Sequence, residues 1–258
     1  MPIVVAEIAA RLGLAARRFA IDVLRSCEST NAVLLSRVDA GAPSGTVVVA
    51  EEQTAGRGRR GRTWFANPGD SLTFSLLWRF APGATPAGLS LAVGIAVARA
   101  LQRVGAGETA LKWPNDILKQ GRKLGGILVE LAAGQSQAAI IGIGINLRLP
   151  AGLPEDVSAN SAAIGATGAP VDVNEVLAAL LGELLATLDT FAAGGFAAIR
   201  TEWTARHAFQ DSLVRLSSDF GPPREGICRG VDTDGALLLE VDGRVERILS
   251  GEVSLRPA

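Results

Sequence analysis

The sequence contains very few of the residues that build metal centres, disulfide frameworks and histidine-based catalytic sites. Its 258 residues include one histidine, His207, two cysteines, Cys27 and Cys228, and no tyrosine. A catalytic scheme that needs several histidines is therefore excluded, and the sequence predicts no dedicated metal site. Two cysteines this far apart do not form a disulfide framework, so we expect a protein of the reducing cytoplasm.

The sequence also lacks a charge excess and a recognisable targeting segment. Its net charge is −1 at pH 7, which argues against general binding to nucleic acid or acidic membranes. Apolar residues make up 48% and charged residues 20%, the balance of a soluble globular protein with a buried core. The N-terminus does not have the pattern of a signal peptide. The apolar helix candidate at 87–104 contains Arg99, Gln102 and Arg103, which favours a core helix over a membrane span.

Strand-like and helix-like patterns together predict an α+β domain at 1–210. Strands are predicted at 19–30, 45–53, 71–80 and 138–147, with a strand hairpin around Gly121. Helices are predicted at 31–41, 85–105, from Asp172 onward and at 196–207. The strand at 71–80 is expected to be half-buried, because apolar residues alternate there with serine and threonine. In the strand at 138–147, Gly142 and Gly144 indicate close approach by a ligand or another backbone.

The pattern changes after residue 210, where short β-rich runs replace the helical periodicity. Asp234-Gly235 and Asp242-Gly243 interrupt these runs, and such dipeptides are typical of hairpin turns. We therefore predict a small, barrel-like β domain at 211–258.

The stretch AEEQTAGRGRRGRTW at 50–64 contains the spacing G-x-G-x-x-G from Gly56 to Gly61. A dinucleotide-binding turn needs a strand directly before the first glycine and a helix directly after the last. Here the polar residues 51–55 precede Gly56, and an Asn-Pro-Gly turn and a strand follow. The spacing alone therefore does not predict a dinucleotide site.

Three other interpretations of this loop stay open. A nucleic-acid patch would have interleaved aromatics and a wider basic surface. A solvated loop without a function would carry the mutual repulsion of Arg57, Arg59, Arg60 and Arg62. A loop that closes over a small polyanion fits these residues best, because glycine allows close backbone approach and arginine offers forked donors. Such a loop orders on binding and acts as a lid.

Five motifs occur in order along the chain: STN at 29–31, QTAGRGRRGRTW at 53–64, KWPND at 112–116, RKLGGILVE at 122–130 and GIGIN at 142–146. Together with GALLLE and GEVSLR near the end, they resemble the biotin–protein ligase family over most of the chain. The resemblance implies an α+β fold, with a mixed-sheet catalytic domain of the biotin/lipoate ligase type and a C-terminal SH3-like β-barrel. It also implies a biotin–[acetyl-CoA-carboxylase] ligase, which activates biotin with ATP as biotinyl-5′-AMP and transfers it to a carrier lysine.

By motif position, the resemblance assigns two sets of binding residues. The biotin contacts are Ser29, Thr30, Asn31, Gln53, Arg57, Gly58, Arg59, Lys123, Gly126 and Gly144. The ATP contacts are Arg57, Arg59, Arg60, Arg62, Trp64, Asn115, Lys123, Asn146 and Arg256. Without the resemblance, Ser29 and Thr30 are ordinary helix-capping residues, and Trp64 is an aromatic anchor for the base of the loop.

The resemblance gives catalytic parts to Lys123, Arg59 and Asp116. Both half-reactions pass through anionic centres, which require charge stabilisation and positioning rather than a histidine-based triad. Lys123 is implied at the junction of carboxylate and phosphate, and Asp116 as the group that orients or deprotonates the incoming lysine. Without the resemblance, Lys123 is a solvated hairpin lysine and Asn115-Asp116 is part of a turn.

The implied partners are biotin, ATP with Mg²⁺ as its substrate complex, and the biotin-accepting domain of acetyl-CoA carboxylase or another biotin-dependent carboxylase. Side-by-side homodimers occur in this family, so a homodimer stays open. The stretch before Ile21 is too short for the DNA-binding domain of bifunctional members, so we expect no DNA binding, no repressor role and no membrane. Two alternative functions remain, a nucleic-acid-binding regulator and a lipoyl or octanoyl transferase on the same fold.

Overall fold

The computed structural model describes residues 2–132, 138–149, 152–165, 171–218, 221–249 and 253–257. Its larger sheet consists of β1 (Ala20–Cys27), β2 (Thr46–Gln53), β3 (Ser71–Arg79), β4 (Ala110–Lys112), β5 (Asp116–Lys119), β6 (Arg122–Leu131) and β7 (Ala138–Asn146). The strand order is β1-β2-β3-β7-β6-β5-β4, with β1 and β2 parallel and the other neighbours antiparallel. The expected α+β fold with a mixed sheet is therefore confirmed.

The helices cover both faces of this sheet. They are α1 (Val5–Leu12), α2 (Thr30–Val38), α3 (Leu89–Arg103), α4 (Glu155–Ala159), α5 (Val173–Gly194) and α6 (Arg200–Ala205). On one face, α3 and α5 pack together in the main core, and α1 packs against α5. On the other face, Leu34 and Val38 of α2 pack with Val48, Leu77 and Ile140. Burial on both faces explains the near-continuous apolar runs of β2 and β7.

The expectation that β3 is half-buried was wrong. Every residue from Ser71 to Trp78 is buried, including the serines and the threonine. The hydroxyl of Ser75 lies 2.7 Å from Thr30 Oγ1 at the start of α2, so the polar face of the strand contacts other polar groups instead of water. One face of β3 therefore packs in the apolar core, and the other face packs in a buried polar cluster. The polar face can be buried because its hydroxyl groups have hydrogen-bond partners there.

The predicted start of α3 at Thr85 was also wrong, whereas the start of α5 was confirmed. Gly88 has a φ of +77°, and a side chain there would overlap Phe196, so the chain turns at Gly88 before α3 begins. Asp172 caps α5 as predicted, since its Oδ1 accepts hydrogen bonds from the N–H groups of Asn174 and Glu175 at 2.9 and 3.2 Å.

Among the described helices, α5 is the one long and apolar enough to cross a membrane, with a mean hydropathy of 1.7 over its most apolar stretch. Half of that stretch is buried within the protein, where Leu177, Leu180 and Leu184 pack into the main core. The helix that meets this test is thus α5 and not the candidate at 87–104. Its burial is that of a core helix.

The second sheet lies at the C-terminal end of the chain. It consists of β8 (Leu213–Ser218), β9 (Gly221–Val231), β10 (Leu237–Val241), β11 (Arg244–Ile248) and β12 (Val253–Pro257), all antiparallel, in the order β11-β10-β9-β8-β12. Asp242 and Gly243, with φ of 51° and 73°, form the predicted turn between β10 and β11. The sheet is consistent with an SH3-like domain, and the domain boundary at 210 stays a prediction.

Candidate active site

One cleft brings together most of the residues that the motifs single out. It has a volume of about 140 Å³ and lies between the start of α2, the loop from β2 to β3, the turn from β4 to β5, and strands β6 and β7. The predicted residues that line it are Ser29, Thr30, Asn31, Gln53, Arg57, Gly58, Arg59, Arg60, Arg62, Trp64, Asn115, Asp116, Lys123, Gly126 and Gly144. Two predicted residues, Asn146 and Arg256, are not part of the lining that the structure describes.

At one end of the cleft, the start of α2 presents buried polar groups. The N–H and the hydroxyl of Thr30 donate to Gln53 Oε1 at 2.8 and 3.1 Å. The side-chain amide of Asn31 donates to Glu130 Oε2 at 2.6 Å. Ser29 occupies the N-cap position, but its side chain forms no capping hydrogen bond. The bonds of Thr30 and Asn31 therefore tie the start of α2 to β2 and β6, which fixes the polar end of the cleft before any ligand enters.

The two glycines of β7 make room for side chains that line the cleft. A Cβ on Gly142 would overlap the side-chain amide of Asn31, and a Cβ on Gly144 would overlap the indole ring of Trp64. The sequence correctly indicated a close approach at these positions. The approaching groups are the two side chains, rather than another backbone.

The arginine-rich loop folds back on itself like a hairpin. The N–H groups of Gln53, Trp64 and Gly58 donate to the carbonyls of Ala66, Gly56 and Arg62 at 3.2, 2.9 and 2.7 Å. Across the described residues 56–71, only a short 3₁₀ turn at Arg59–Gly61 is helical. A dinucleotide-binding helix therefore does not follow the glycines, in agreement with the sequence.

The four arginines of the loop differ in their exposure. Arg57 and Arg62 are exposed, whereas Arg59 and Arg60 are partly buried. Arg59 points across the cleft, and its Nη1 donates to Asn115 Oδ1 at 3.4 Å. The loop thus reaches the turn between β4 and β5. It covers the side of the cleft where the lysine and arginine side chains lie.

Opposite the loop, one carboxylate holds two lysines. Asp116 Oδ1 lies 2.6 Å from Lys123 Nζ, and Asp116 Oδ2 lies 3.0 Å from Lys112 Nζ. Burial raises the pKa of Asp116, but the charges of Lys123 and Lys112 and their hydrogen bonds outweigh burial and lower its pKa below the usual value. The carboxylate is therefore ionised at neutral pH, and the three groups together leave one positive charge in the cleft.

Trp64 forms a wall between the loop and the sheet. Its ring centroid lies 6.0 Å from Lys123 Nζ, and a Cβ on Gly126 would lie 3.8 Å from the ring. Its indole Nε1 is buried and has no hydrogen-bond partner among the described residues. The side chain thus anchors the loop against β7, and its ring forms part of the lining of the cleft.

Asn115 and Asn146 hold the backbone around the cleft. Asn115 Nδ2 donates to the carbonyl of Ile127 at 2.9 Å. Asn146 Nδ2 donates to the carbonyls of Ala162 and Lys123 at 3.0 and 3.4 Å, so it lies behind Lys123 rather than in the cleft. On β12, the buried Leu255 lines the cleft and Arg256 is exposed, as expected for side chains on opposite faces of a strand.

Several lining residues were missed by the sequence analysis: Thr63, Thr73, Lys112, Trp113, Pro114, Ile127, Leu128, Ile143 and Leu255. The sequence indicated Gly142, which also lines the cleft, only as a point of close approach. Lys112, Trp113 and Pro114 lie inside the KWPND motif, and this could have indicated them. Leu255 lies inside the GEVSLR motif, but its contact with the cleft depends on how the second sheet packs. Thr73 had no such signal, because its place depends on how β3 packs. Within the described residues, no group of three or more His, Cys, Asp or Glu side chains could hold a metal ion.

Two family models match the chain. Residues 23–146 match the biotin/lipoate A/B protein ligase family, and residues 219–256 match the biotin protein ligase C-terminal domain. The first covers β1–β7 except the beginning of β1, with the whole cleft-forming part of that sheet, and the second covers most of the second sheet. The two matches thus follow the two sheets of the structure.

Named relatives match over nearly the whole chain. The bifunctional ligase/repressor BirA of Escherichia coli is 41% identical over 92% of this chain and 74% of its own. The biotin–[acetyl-CoA-carboxylase] ligase of Mycobacterium tuberculosis is 37% identical over 90% of this chain and 88% of its own. A solved structure of biotin protein ligase from Aquifex aeolicus in complex with biotin and ATP matches with a TM-score of 0.81 at 30% identity, over 92% of this chain and 99% of that one. The chain therefore belongs to the biotin protein ligase family.

Proposed function

We propose that the protein activates biotin with ATP and transfers it to a lysine of an acceptor protein. In the first step, a biotin carboxylate oxygen attacks the α-phosphorus of ATP, the bond to the β-phosphate oxygen breaks, and pyrophosphate leaves. In the second step, the acceptor amine attacks the acyl carbon of biotinyl-5′-AMP, AMP leaves with the bonding electron pair, and the amine loses a proton. The observation that carries the proposal is a cleft with a neutral polar end joined to a cationic end.

The polar end suits the ring system of biotin. Ser29, Thr30 and Asn31 offer donors and acceptors of the kind that a cyclic urea requires, and Gln53 fixes Thr30 among them. These groups are buried and already positioned, so little conformational entropy is lost when a small ligand enters. We also assign Gly126 and Gly144 to the biotin site, in the narrow part of the cleft beside Lys123 and the ring of Trp64.

The cationic end suits the phosphates and the reacting carboxylate. Lys123 and Arg59 lie on opposite walls, where they can stabilise the negative charge that develops during attack on the α-phosphorus. We assign Arg57, Gly58, Arg60 and Arg62 to the closure of the loop over the adenylate. MgATP is the substrate.

We assign the adenine to the face of Trp64, beside Asn115. The support for this role is that the ring of Trp64 lines the cleft at its cationic end, near Lys123. Asn146 acts behind Lys123 as a positioning residue. We do not propose a direct ATP contact for Arg256, because its neighbour Leu255 is the residue of β12 that lines the cleft.

We propose that Asp116 positions the two lysines and is not the base of the second step. Its pKa is lowered by the same lysines, and a carboxylate with a low pKa accepts a proton weakly. An Asp116→Asn variant should therefore lose the alignment of Lys123 and Lys112. In the wild type, the rate of biotin transfer should be measured as a function of pH. Its decrease at low pH should not follow the pKa of a general base near neutrality.

We further propose a biotin-accepting domain of a biotin-dependent carboxylase as the acceptor, a cytoplasmic location, and two domains that meet near residue 210. We also propose that the protein does not bind DNA specifically. In support, α1 packs on α5 within the catalytic domain: Ile8 is buried, and Arg11 Nη2 lies 2.7 Å from Asp172 Oδ2. β1 is an edge strand of the larger sheet, so a side-by-side homodimer stays open.

The test is pyrophosphate release from ATP by the purified protein with biotin, lipoate or octanoate, followed by addition of a biotin-accepting domain. We expect release with biotin alone, and a mass increase of one biotin on the acceptor. Release only with lipoate or octanoate would assign the protein to the lipoyl or octanoyl alternative. The absence of release with all three acids would contradict the ligase proposal. Salt-sensitive binding to nucleic acid without biotin would then favour a regulator.

A further inference from the structure

A turn of the C-terminal sheet lies directly against the motif that carries Asn115 and Asp116. This turn, Asp232–Ala236, connects β9 and β10. The indole N–H of Trp113 donates to the carbonyl of Gly235 at 3.0 Å, and the bond is buried. Trp113 itself is fully buried. Loss of this bond would leave a buried carbonyl without its partner, which is costly.

The turn is built as a rigid unit. Asp232 Oδ1 accepts hydrogen bonds from the N–H groups of Asp234 and Ala236, both at 2.9 Å. Its backbone N–H donates to the carbonyl of Ala236 at 2.9 Å, and Arg247 pairs with the carboxylates of Asp232 and Asp234. A turn with this many internal bonds keeps its shape, so it can act as a support for the group that it contacts.

Gly235 is also packed tightly against the catalytic domain. Its φ is +81°, and a Cβ there would lie 2.9 Å from Gly88 Cα and 2.9 Å from Leu91 Cδ1. Gly88 directly precedes α3, and Ser90 in the first turn of α3 donates its hydroxyl to the carbonyl of Pro114 at 3.0 Å. The turn thus reaches the segment Trp113–Pro114 both directly and through the start of α3.

The segment that Trp113 anchors carries the charges of the cleft. Lys112 and Asp116 are paired in register on β4 and β5, and the N–H of Asn115 donates to the carbonyl of Lys112 at 3.1 Å. Asp116 in turn holds Lys123. A small shift of the indole would therefore move Lys112, Asn115 and Asp116 together. Such displacements of catalytic groups reduce rates strongly even when the fold is kept.

We propose that the Asp232–Ala236 turn is a positioning element of the active site, which acts through Trp113 on the cationic end of the cleft. This inference rests on the proposed ligase function. The turn acts on ATP and on the chemical step more than on biotin. The polar end is held separately, by the hydrogen bonds of Thr30 and Asn31 to Gln53 and Glu130 in the larger sheet.

The chain offers a matched control for testing this inference. Gly235 and Gly243 both follow an aspartate in turns of the C-terminal sheet, with φ of +81° and +73°. An alanine at either position carries a similar backbone strain. Only at 235 does the added Cβ meet the catalytic domain, because nothing lies within 4 Å of the corresponding position at 243. Trp113→Phe is the second variant, which removes the hydrogen-bond donor and keeps an aromatic ring.

The experiment measures biotin-dependent pyrophosphate release in the wild type, Gly235→Ala, Gly243→Ala and Trp113→Phe, below the melting temperature of each. We expect Gly235→Ala and Trp113→Phe to lower kcat about tenfold and to raise KM for ATP, with KM for biotin within about twofold of the wild type. Gly243→Ala should match the wild type in all three. Equal kinetics for Gly235→Ala, Trp113→Phe and Gly243→Ala would overturn the inference.

Hydrogen exchange of the segment 110–119 provides a readout that does not depend on activity. We expect faster exchange of this segment in Gly235→Ala and Trp113→Phe than in the wild type and Gly243→Ala. A wild type without pyrophosphate release would contradict the proposed function, and the exchange data would still decide the positioning role. Identical exchange in all four proteins would overturn it.

Discussion

The two ends of the cleft are built on different physical principles. At the polar end, Thr30 and Asn31 are buried and bonded to Gln53, Ser75 and Glu130. At the cationic end, the lysines and arginines are partly or fully exposed. Polar groups that satisfy one another's hydrogen bonds can stay in position without a ligand. Like charges repel, so the cationic end reaches its lowest free energy when an anion is present.

This difference separates recognition from chemistry. The polar end is preorganised by hydrogen bonds, which favours specificity for one neutral ring system. The cationic end has the groups that stabilise developing charge, with Asp116 limiting their repulsion in the empty cleft. Changes at the polar end should therefore act on KM for biotin, and changes at the cationic end on ATP and on kcat.

The largest expected effect is that of Lys123→Ala, which removes the cation at the junction of the two ends. We expect kcat for pyrophosphate release to fall about 10²- to 10³-fold, because the negative charge in the transition state loses a direct partner. Arg122→Ala is the control, since Arg122 is the exposed neighbour on β6 and should leave kcat unchanged. A similar kcat in Lys123→Ala and the wild type would contradict the division of the cleft into a polar end and a cationic end.

The second prediction uses the paired glycines of β7 to perturb each end separately. Gly142→Ala pushes against Asn31, and Gly144→Ala pushes against Trp64. We expect KM for biotin to rise about tenfold in the first variant and KM for ATP about tenfold in the second. Equal increases of both constants in both variants would show that the ends are not independent.

The third prediction concerns the global stability of the protein and a residue that lies outside both ends of the cleft. His207 lies where α6 meets the second sheet, stacked on Trp203 at 4.5 Å, with its Nδ1 3.9 Å from Cys228 Sγ. Burial lowers the pKa of His207 to about 4. The unfolded chain therefore binds a proton that the folded protein does not between pH 6.5 and about 4, so acidification destabilises the folded state over this interval.

By pH 4 this effect should cost about 3 kcal/mol of unfolding free energy, measured by urea unfolding as a function of pH. In His207→Gln, which has no titratable side chain at this position, the total loss of unfolding free energy between pH 6.5 and 4 should be smaller by that amount, so the slope is shallower. Asp116 acts in the same direction at lower pH, since its lowered pKa stabilises the folded protein until the carboxylate is protonated. An unchanged slope in the variant would contradict the assignment to His207.

The smallest expected effect concerns the exposed arginines of the loop. Arg62→Ala should raise KM for ATP about three- to fivefold at low salt and less at 0.5 M salt, because exposed charges are screened. Arg59→Ala is the contrast, since Arg59 is partly buried against Asn115 and its effect should persist in salt. Equal salt dependence of the two variants would contradict the difference in exposure between Arg62 and Arg59.

The sequence predicted the elements of the fold well where local patterns decide them. Asp172 caps α5, and Asp242-Gly243 turns the chain between β10 and β11, because these short motifs depend on their own backbone bonds. It failed for β3, whose serines face a buried polar cluster formed by another element. The burial of a polar face depends on what packs against it, and alternation in one strand does not contain that information.

The sequence predicted which residues form the site better than it predicted how these residues contact one another. Motif order brought Lys123, Asp116 and the arginine loop to one place, and the structure joins them in one cleft. It did not reveal that Lys112 shares the carboxylate of Asp116, or that Trp113 is bound to Gly235 in the other sheet. These contacts depend on strand register and on the packing of the two sheets, which no single motif encodes.

The most direct test of the account is a single-turnover reaction of the purified protein with equimolar biotin and MgATP, followed by native mass spectrometry. The account predicts a complex that retains biotinyl-5′-AMP and one released pyrophosphate per complex. Lys123→Ala should still bind biotin through the intact polar end, with some loss of affinity from the missing carboxylate contact, and should form almost no adenylate. Adenylate formation at the wild-type rate in Lys123→Ala, or its absence in the wild type, would contradict the division of the cleft into these two ends.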